Sequence, residues 1–355
     1  MTHIFLTGFP GFIGKHLAFT LIKKYSDLKL TFLVHPSMQF KARQEFKALK
    51  LNPDIHKIVL GDITQPNLGL MDTQAQDIQT KTNTIFHLAA IYDLTVPEDI
   101  AQKVNVQGTQ NLLTFFSKSP NLQRFNHIST CYVSGNQKGL ITPDKLEENQ
   151  KFHNFYESTK QASEVLVKKR NFTMPVTIFR PAIVVGDSLT GETDKFDGPY
   201  VVIAFLHKIR ALLRLVPNLG YSECEVNTVP VDYVTDVISY LAFQKHALGK
   251  TYQVCDQNPP STKDFFETMV HMIGGLTPYS CSILKIMILK ILCSPLVSKI
   301  TGITPQHLDY FMHPGKYRDP HLIADLKDSG ITLSSYKTYY PKLYHFLKLQ
   351  LSAKN

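Results

Sequence analysis

The sequence predicts an α/β fold, a doubly wound parallel sheet with a smaller, mostly helical C-terminal domain. Three observations carry this prediction. The chain opens on an apolar strand that runs through a glycine turn into a helix. Strands then alternate with helical stretches, without internal repeats, to about residue 256. Beyond that point the pattern is mostly helical.

At 355 residues the chain suits one large domain or two coupled ones. The expected division gives 1–186 plus 225–258 to a dinucleotide-binding domain, and 187–224 plus 259–355 to a substrate-binding cap. Hydrophobic content of 43% and charged content of 19% are those of a globular protein, not a disordered one. Met1 leads almost directly into the first strand, so a signal peptide is not expected, and no apolar run is long enough to span a bilayer. The five cysteines (Cys131, Cys224, Cys255, Cys281, Cys293) are scattered and lack CxxC spacing, which argues for reduced thiols and against a metal site or disulfide framework. A cytoplasmic protein is expected. The net charge of +9 is concentrated late, with ten Lys/Arg against four Asp/Glu in 281–355. Such a bias reads first as a solvated basic face, and next as a fit to an anionic substrate or membrane surface. No nucleic-acid module accompanies it.

In the first element, Ile4-Phe5-Leu6 form the strand and Thr7-Gly8-Phe9-Pro10-Gly11-Phe12-Ile13-Gly14 the turn. Gly8 permits a tight turn, Gly11 lets backbone approach a pyrophosphate, and Gly14 lets the helix sit close on the strand. The N–H groups at the helix start then face the phosphates. Leu28–Val34 reads as a buried second strand ending in His35-Pro36-Ser37, with Lys41 and Arg43 following. An acid at that strand end would bind a ribose 2′-OH and repel a 2′-phosphate. Its absence, with cations nearby, favours NADPH over NADH.

Lys57–Leu60 is a third strand leading to Asp62, at the rim where parallel sheets bind ligands. Thr84–Ala90 is a fourth, closing on the small Ala89 and Ala90. A helix from Pro97 to Phe116 and a fifth strand, Phe125–Thr130, follow. Tyr156 and Lys160 lie four residues apart on the next helix, hence on one face and about 6 Å apart along its axis. A free phenol titrates near pH 10, and a neighbouring ammonium lowers that value. With a hydroxyl from the preceding strand end, the pair is a reasonable acid–base device for a carbonyl. Val176–Phe179 and Thr251–Val254 complete the strands, separated by a polar loop at 187–199, an apolar helix from Tyr200 to Leu215 and a further helix after Val226–Tyr233.

The ordered set TGFPGFIG, GDIT, HLAA, NVQGT, HISTCYVSG, YESTK and RPAIVVG resembles the extended short-chain dehydrogenase/reductase family over about residues 2–256. Within it, STCY, YESTK and RPAIVVGDSLTGETDKFDGP are most similar to the thioester-reductase and fatty-acyl-reductase branch. The resemblance implies a Rossmann fold and a nicotinamide cofactor, NADP preferred and NAD the alternative. It implies that the turn from Gly8 to Gly14, including Phe9, Pro10, Phe12 and Ile13, holds the pyrophosphate. His35 would stand at the adenosine ribose, Asp62 and Ile63 by the adenine, Ala89 and Ala90 along the groove, and Pro181 by the carboxamide. Tyr156 would be the general acid/base and Lys160 the ribose ligand that tunes it. Thr130 would hydrogen-bond the reacting oxygen, with Ser129 the alternative. Asn105 is expected to be structural. Two positions depart from the branch: His35 stands where it usually has arginine, and Ser134 where it usually has tyrosine.

The stretch 283–293 is almost wholly aliphatic with two lysines. It reads as a buried cap helix over the active site, or else as a lipophilic wall or a peripheral membrane contact. Tyr336–Phe346 reads as the last packing helix. The expected activity is hydride transfer between nicotinamide and a carbonyl or acyl thioester, long-chain or otherwise lipophilic, carried on coenzyme A or a phosphopantetheine arm. The rival is a nucleotide-sugar epimerase or dehydratase with tightly held NAD, and a third reading is a non-catalytic redox sensor, which the Tyr156/Lys160 pair argues against. A homodimer is one expectation for the assembly.

Overall fold

The computed structural model describes residues 1–93, 95–144, 150–171, 173–292 and 294–353. The chain begins β1 (Thr2–Thr7), α1 (Phe12–Lys24), β2 (Leu28–Val34), α2 (Gln39–Ala48), β3 (Lys57–Leu60), α3 (Asp72–Lys81), β4 (Thr84–His87). Next come α4 (Glu98–Ala101), a π-helical turn over 102–107, α5 (Gly108–Phe116), β5 (Arg124–Ile128), β6 (Gly139–Ile141), α6 (Phe155–Lys169), β7 (Val176–Pro181) and β8 (Ile183–Val185). Then follow α7 (Pro199–Lys208), β9 (Thr228–Pro230), α8 (Val231–Leu241) and β10 (Thr251–Val254). The remainder holds α9 (Thr262–Gly274), α10 (Ser282–Leu292), α11 (Pro295–Thr301), α12 (Pro305–Phe311), β11 (Gly315–Tyr317), α13 (Pro320–Leu326) and α14 (Tyr336–Ser352).

Seven strands form one sheet in the order β10-β7-β5-β4-β1-β2-β3, with every neighbouring pair parallel. A parallel sheet is covered on both faces, which is why β4, the Ile4–Thr7 part of β1 and the Phe32–Val34 end of β2 are buried without alternation. One face packs Leu17 and Leu21 of α1 and Val234 and Ile238 of α8 against β1 and β2. The other packs Ile78 of α3, Leu112 and Phe116 of α5 and Val167 of α6. A third cluster lies outside the sheet and joins Tyr200 and Ile203 of α7, Phe265 and Met269 of α9, and Tyr339, Tyr340 and Leu343 of α14. Strand order reverses between β1 and β4, so a crevice opens there at the carboxyl ends of the strands.

The chain returns to the sheet late. β11 pairs with β6, and Asp319 accepts a hydrogen bond from the Gln253 N–H of β10 at 2.7 Å. Asp325 of α13 accepts from the Tyr252 hydroxyl at 2.6 Å.

Three expected elements differ in detail. The helix read from Pro97 to Phe116 is interrupted by the π-helical turn, which carries Asn105 inward. The Asn105 amide donates to the Thr159 hydroxyl at 3.0 Å, and its oxygen accepts from the Ile91 N–H at 2.9 Å. The helix read from Tyr200 to Leu215 ends at Lys208 and tightens into a 3₁₀ stretch over Arg210–Leu215. The third difference is a correction. The aliphatic stretch does form α10, but no residue of α10 lines the crevice, and it is not buried: Leu289 and Leu292 pack inward while Ile283 is 75% exposed. Cys293, the last residue of that stretch, lies outside the described residues.

Candidate active site

The crevice is a cleft of about 1390 Å³ that begins at the β1–α1 turn and ends among α7, α9 and α12 of the cap. It brings together the expected catalytic and cofactor-binding residues: the whole Gly8–Gly14 turn, His35, Asp62, Ile63, Ala89, Ala90, Thr130, Tyr156, Lys160 and Pro181.

The turn is built so that only glycine fits. Gly8 adopts φ +89°, and a Cβ there would meet the Leu88 carbonyl carbon at 2.8 Å. A Cβ on Gly14 would meet the Gly8 carbonyl oxygen at 2.6 Å. The Gly11 N–H donates to that same oxygen at 2.8 Å, closing the turn. No side chain caps α1, so its first N–H groups stay directed at the cleft for an anion. These features fit the pyrophosphate of a dinucleotide.

Thr7 buttresses the floor. Its hydroxyl oxygen accepts from the Ala89 N–H at 3.1 Å and pairs with His87 Nδ1 at 2.8 Å. His87 Nε2 pairs with the Thr109 hydroxyl at 2.9 Å, and burial pushes this imidazole down to about 3, so it is neutral. The chain therefore leaves β4 at His87, and Ala89 and Ala90 lie in a pinned loop along the groove.

At the adenosine end, His35 Nδ1 pairs with the Ser37 hydroxyl at 2.7 Å, and His35 Nε2 lies 4.0 Å from an Asp62 oxygen. Burial alone would raise the Asp62 carboxyl, but hydrogen bonds from Thr64, including its N–H at 2.8 Å, hold it below its usual value. An acid does stand at this rim, supplied by the end of β3 instead of β2. Lys41 and Arg43 are exposed and do not line the cleft, so the cations that favoured NADPH in the sequence are not at the site.

At the other end, Asn154 caps α6, its side chain accepting from the Glu157 N–H at 3.0 Å, and aims the helix across the end of β5. Tyr156 and Lys160 face the cleft from it. The Lys160 ammonium donates to the Ile128 carbonyl at 2.7 Å, and burial lowers its pKa to about 8. Burial pushes the Tyr156 phenol above its ordinary value, although the Thr130 hydroxyl beside it pulls the other way. Tyr156 is thus held protonated, as a proton donor must be; the lowering expected from Lys160 is not found, because that ammonium is engaged by the Ile128 carbonyl and burial dominates. The hydroxyl of Ser129 is committed elsewhere, donating to Glu164 at 2.7 Å, and Glu164 is paired with Arg180 at 2.6 Å. That leaves Thr130 as the hydroxyl beside Tyr156, positioned by accepting from the Tyr132 N–H at 3.3 Å and by a long bond of 3.5 Å to the Pro181 carbonyl.

Sequence reasoning missed the cap side of the cleft. Tyr92 packs edge-on against the Tyr156 ring, with centroids 5.0 Å apart, and Lys195 lies 5.0 Å above the Tyr92 ring. His307 and Tyr310 of α12 line the same wall. Tyr92 follows the HLAA motif closely enough to have been considered. His307 and Tyr310 lie beyond the last family motif, with no local signal. At Ser134, where the resemblance implies a tyrosine, the hydroxyl lies 2.9 Å from the Tyr317 hydroxyl of β11, and neither residue lines the cleft.

A glycine turn at the switch point of a doubly wound sheet, facing a Tyr-xxx-Lys helix and a strand-end threonine across one cleft, defines an extended short-chain dehydrogenase/reductase. Its NAD-binding family is shown by sequence as well: the chain belongs to the male sterility protein family, whose model matches residues 6–238. Among curated proteins it is 25% identical over 292 residues to a nonribosomal peptide synthetase, asaC, of Aspergillus flavus, covering 77% of this chain and 28% of that protein. It is 26% identical over 277 residues to human fatty acyl-CoA reductase 2, covering 66% of this chain and 53% of that protein. The chain thus spans about a quarter to a half of the length of these relatives. Among solved structures it is similar to the terminal R domain of the myxalamid PKS-NRPS pathway, with a TM-score of 0.83 at 21% identity, covering 99% of this chain and 92% of the other. It is also similar to the UDP-glucuronic acid 4-epimerase of Bacillus cereus, with a TM-score of 0.64 at 19% identity, covering 98% and 100%. No helix among the described residues is long and apolar enough to cross a membrane. No cluster of metal-ligating side chains occurs among them.

Proposed function

We infer that the chain is an NAD(P)-dependent reductase of acyl thioesters carried on coenzyme A or a phosphopantetheine arm. The observation that carries this reading is the continuity of the cleft from the glycine turn, past Tyr156 and Thr130, into a wall built by Val202, Val226, Phe265 and Phe311. The apolar part of this wall suits an acyl chain, and the polar Lys195, Asp197, Gln306 and His307 beside it suit the polar arm that would carry the chain. The names of the relatives, fatty acyl-CoA reductase among them, support the same substrate class.

A bound nicotinamide dinucleotide would supply hydride to the carbonyl carbon. Gly8, Gly11 and Gly14 would receive its pyrophosphate, and Lys160 its ribose hydroxyls. Thr130 and Tyr156 would hydrogen-bond the carbonyl oxygen as negative charge develops there, and Tyr156 would donate the proton. The resulting hemithioacetal then breaks its C–S bond to give aldehyde and thiol. NADPH is the proposed donor, with His35 and Ser37 the groups that would meet a 2′-phosphate.

The test is oxidation of NADPH and of NADH, followed at 340 nm, against a panel of acyl-coenzyme A thioesters, acyl-phosphopantetheine, aldehydes and nucleotide sugars. Consumption with thioesters and release of free thiol is expected. Conversion of a nucleotide sugar with no net reductant consumed would replace this reading with the epimerase one.

A further inference from the structure

Helix α10 is apolar on both of its faces, yet only one face is packed. Leu289 and Leu292 turn inward, and Lys285 is fixed there by donating to the Gly220 carbonyl at 2.6 Å and lying 3.4 Å above the Tyr221 ring. On a 100° wheel, Ile283, Ile286, Met287, Lys290 and Ile291 share the opposite arc. All five are exposed, the four apolar ones by 50% to 75%. Just ahead of α10, the Tyr279 hydroxyl donates to the Leu215 carbonyl at 3.0 Å, which joins this arc to the 3₁₀ stretch. There Leu212 and Leu215 are 55% and 68% exposed. Beyond α10, Leu296 is 73% exposed.

The charge carried by the two stretches that build this apolar face has one sign; the acid just beyond them, Glu223, acts on the inward Lys285. No Asp or Glu occurs in 198–222 or in 268–308, the two stretches that build it. Lys208, Arg210, Arg214, Lys290 and Lys299 do occur there and are exposed, and none has an acidic partner among the described residues. An ordinary solvated face would mix both signs and would not hold large aliphatic side chains out into water.

We propose that this face, made by the outer arc of α10 and the Arg210–Leu215 stretch, docks on an anionic lipid bilayer. The aliphatic side chains would enter the boundary between headgroups and acyl chains, while the cations meet lipid phosphates and carboxylates. A protein partner is the weaker match, because the outer arc of α10 offers isoleucine and methionine without the aromatic anchors that concentrate binding energy at protein interfaces. α10 is short, so the chain lies on the membrane by this face and does not cross it there.

The test is cosedimentation of the full chain with phosphatidylcholine vesicles, with and without phosphatidylserine. Binding to the anionic vesicles alone is expected, weakening as salt is raised. An Ile286→Glu/Ile291→Glu double variant should lose about tenfold or more in binding. Phe40→Glu, at a residue on α2 that is 76% exposed, should bind like the parent. Thermal melts verify folding, and Arg214→Glu/Lys290→Glu gives a second variant that alters only surface charge and should also lose binding to anionic vesicles. Equal binding to neutral vesicles, or unaltered binding by both double variants, overturns the proposal. So does light scattering that shows a dimeric parent and a monomeric aliphatic variant, since a second copy would then cover the face.

Discussion

The hydroxyl of Tyr310, on cap helix α12, donates to the carboxylate of Glu157 at 2.6 Å, and Glu157 is the residue next to Tyr156 on α6. The other Glu157 oxygen accepts from the His153 N–H at 3.0 Å, and the Asn154 amide donates to the Tyr310 oxygen at 3.0 Å. Burial raises the Glu157 carboxyl although these bonds oppose it, so the site depends on Tyr310 to keep the group paired. The wall that would hold substrate is thereby fastened to the helix that would deliver the proton.

Tyr310→Phe removes that fastening while keeping the ring. It leaves a buried carboxylate oxygen without its donor, which costs about 1–3 kcal/mol. A lower melting temperature is expected, together with a KM for thioester that rises more than kcat falls. Steady-state kinetics and a thermal melt check both. An unchanged KM would mean that the cap does not need this bond to shape the site.

Gly14→Ala places a methyl group 2.6 Å from the Gly8 carbonyl oxygen, a contact that neither backbone can relieve cheaply. The turn must open, and dinucleotide affinity should fall about tenfold or more, since each 1.4 kcal/mol of lost fit is a factor of ten. Calorimetric titration with NADPH measures it. Gly275→Ala, where no atom lies within 4 Å, is a control for affinity only, because its left-handed backbone will cost stability.

Much of this was legible in the sequence because its signals are local. The strands at 28–34, 57–60 and 251–254 are short, largely apolar or β-branched runs bounded by turns, and the sheet uses them as such. The glycine turn and the Tyr156/Lys160 spacing each lie within a single element, so their geometry follows from chain stereochemistry alone. What escaped was made by distant partners. Asp62 reaches the position beside His35 because β3 lies next to β2, and the Tyr317 hydroxyl reaches Ser134 from β11, which pairs with β6. α10 was misread as a buried cap for a related reason: its composition shows that it is apolar, but only packing shows that one face is left uncovered.

The proposed preference for NADPH rests on His35 and Ser37, since Lys41 and Arg43 do not line the cleft. His35→Arg would add a planar cation at the point where a 2′-phosphate would arrive, worth about 1.5–3 kcal/mol as a charge-assisted bond. NADPH should bind at least tenfold tighter with NADH little changed, as read from Kd values for the two nucleotides. Equal gains for both would show that position 35 does not face the ribose.

Tyr156→Phe keeps the ring against Tyr92 and removes only the proposed proton donor. A loss of about 10²–10⁴-fold in kcat is expected, with NADPH affinity and melting temperature near those of the parent. Thr130→Val should lose activity in the same direction. Activity that survives Tyr156→Phe would assign the proton to another group.

Lys160 links the site to stability. Its amine titrates at about 8 in the fold, lowered from 10.5 by burial, with the Glu164 carboxylate opposing. Below about pH 8 both folded and unfolded chains carry the proton, and the cost of burying an ammonium is present in full. Between about pH 8 and 10.5 the unfolded chain still holds a proton that the fold has released, so stability rises with pH across that window. The shift sets an upper bound of about 3 kcal/mol on this rise. Lys160→Met, similar in length and without charge, should be inactive yet lack this increment. Urea denaturation of both proteins from about pH 7 to 10 therefore gives curves that converge as the pH rises, the parent gaining on the variant. Parallel curves would mean that the ammonium is not buried at a cost in the fold.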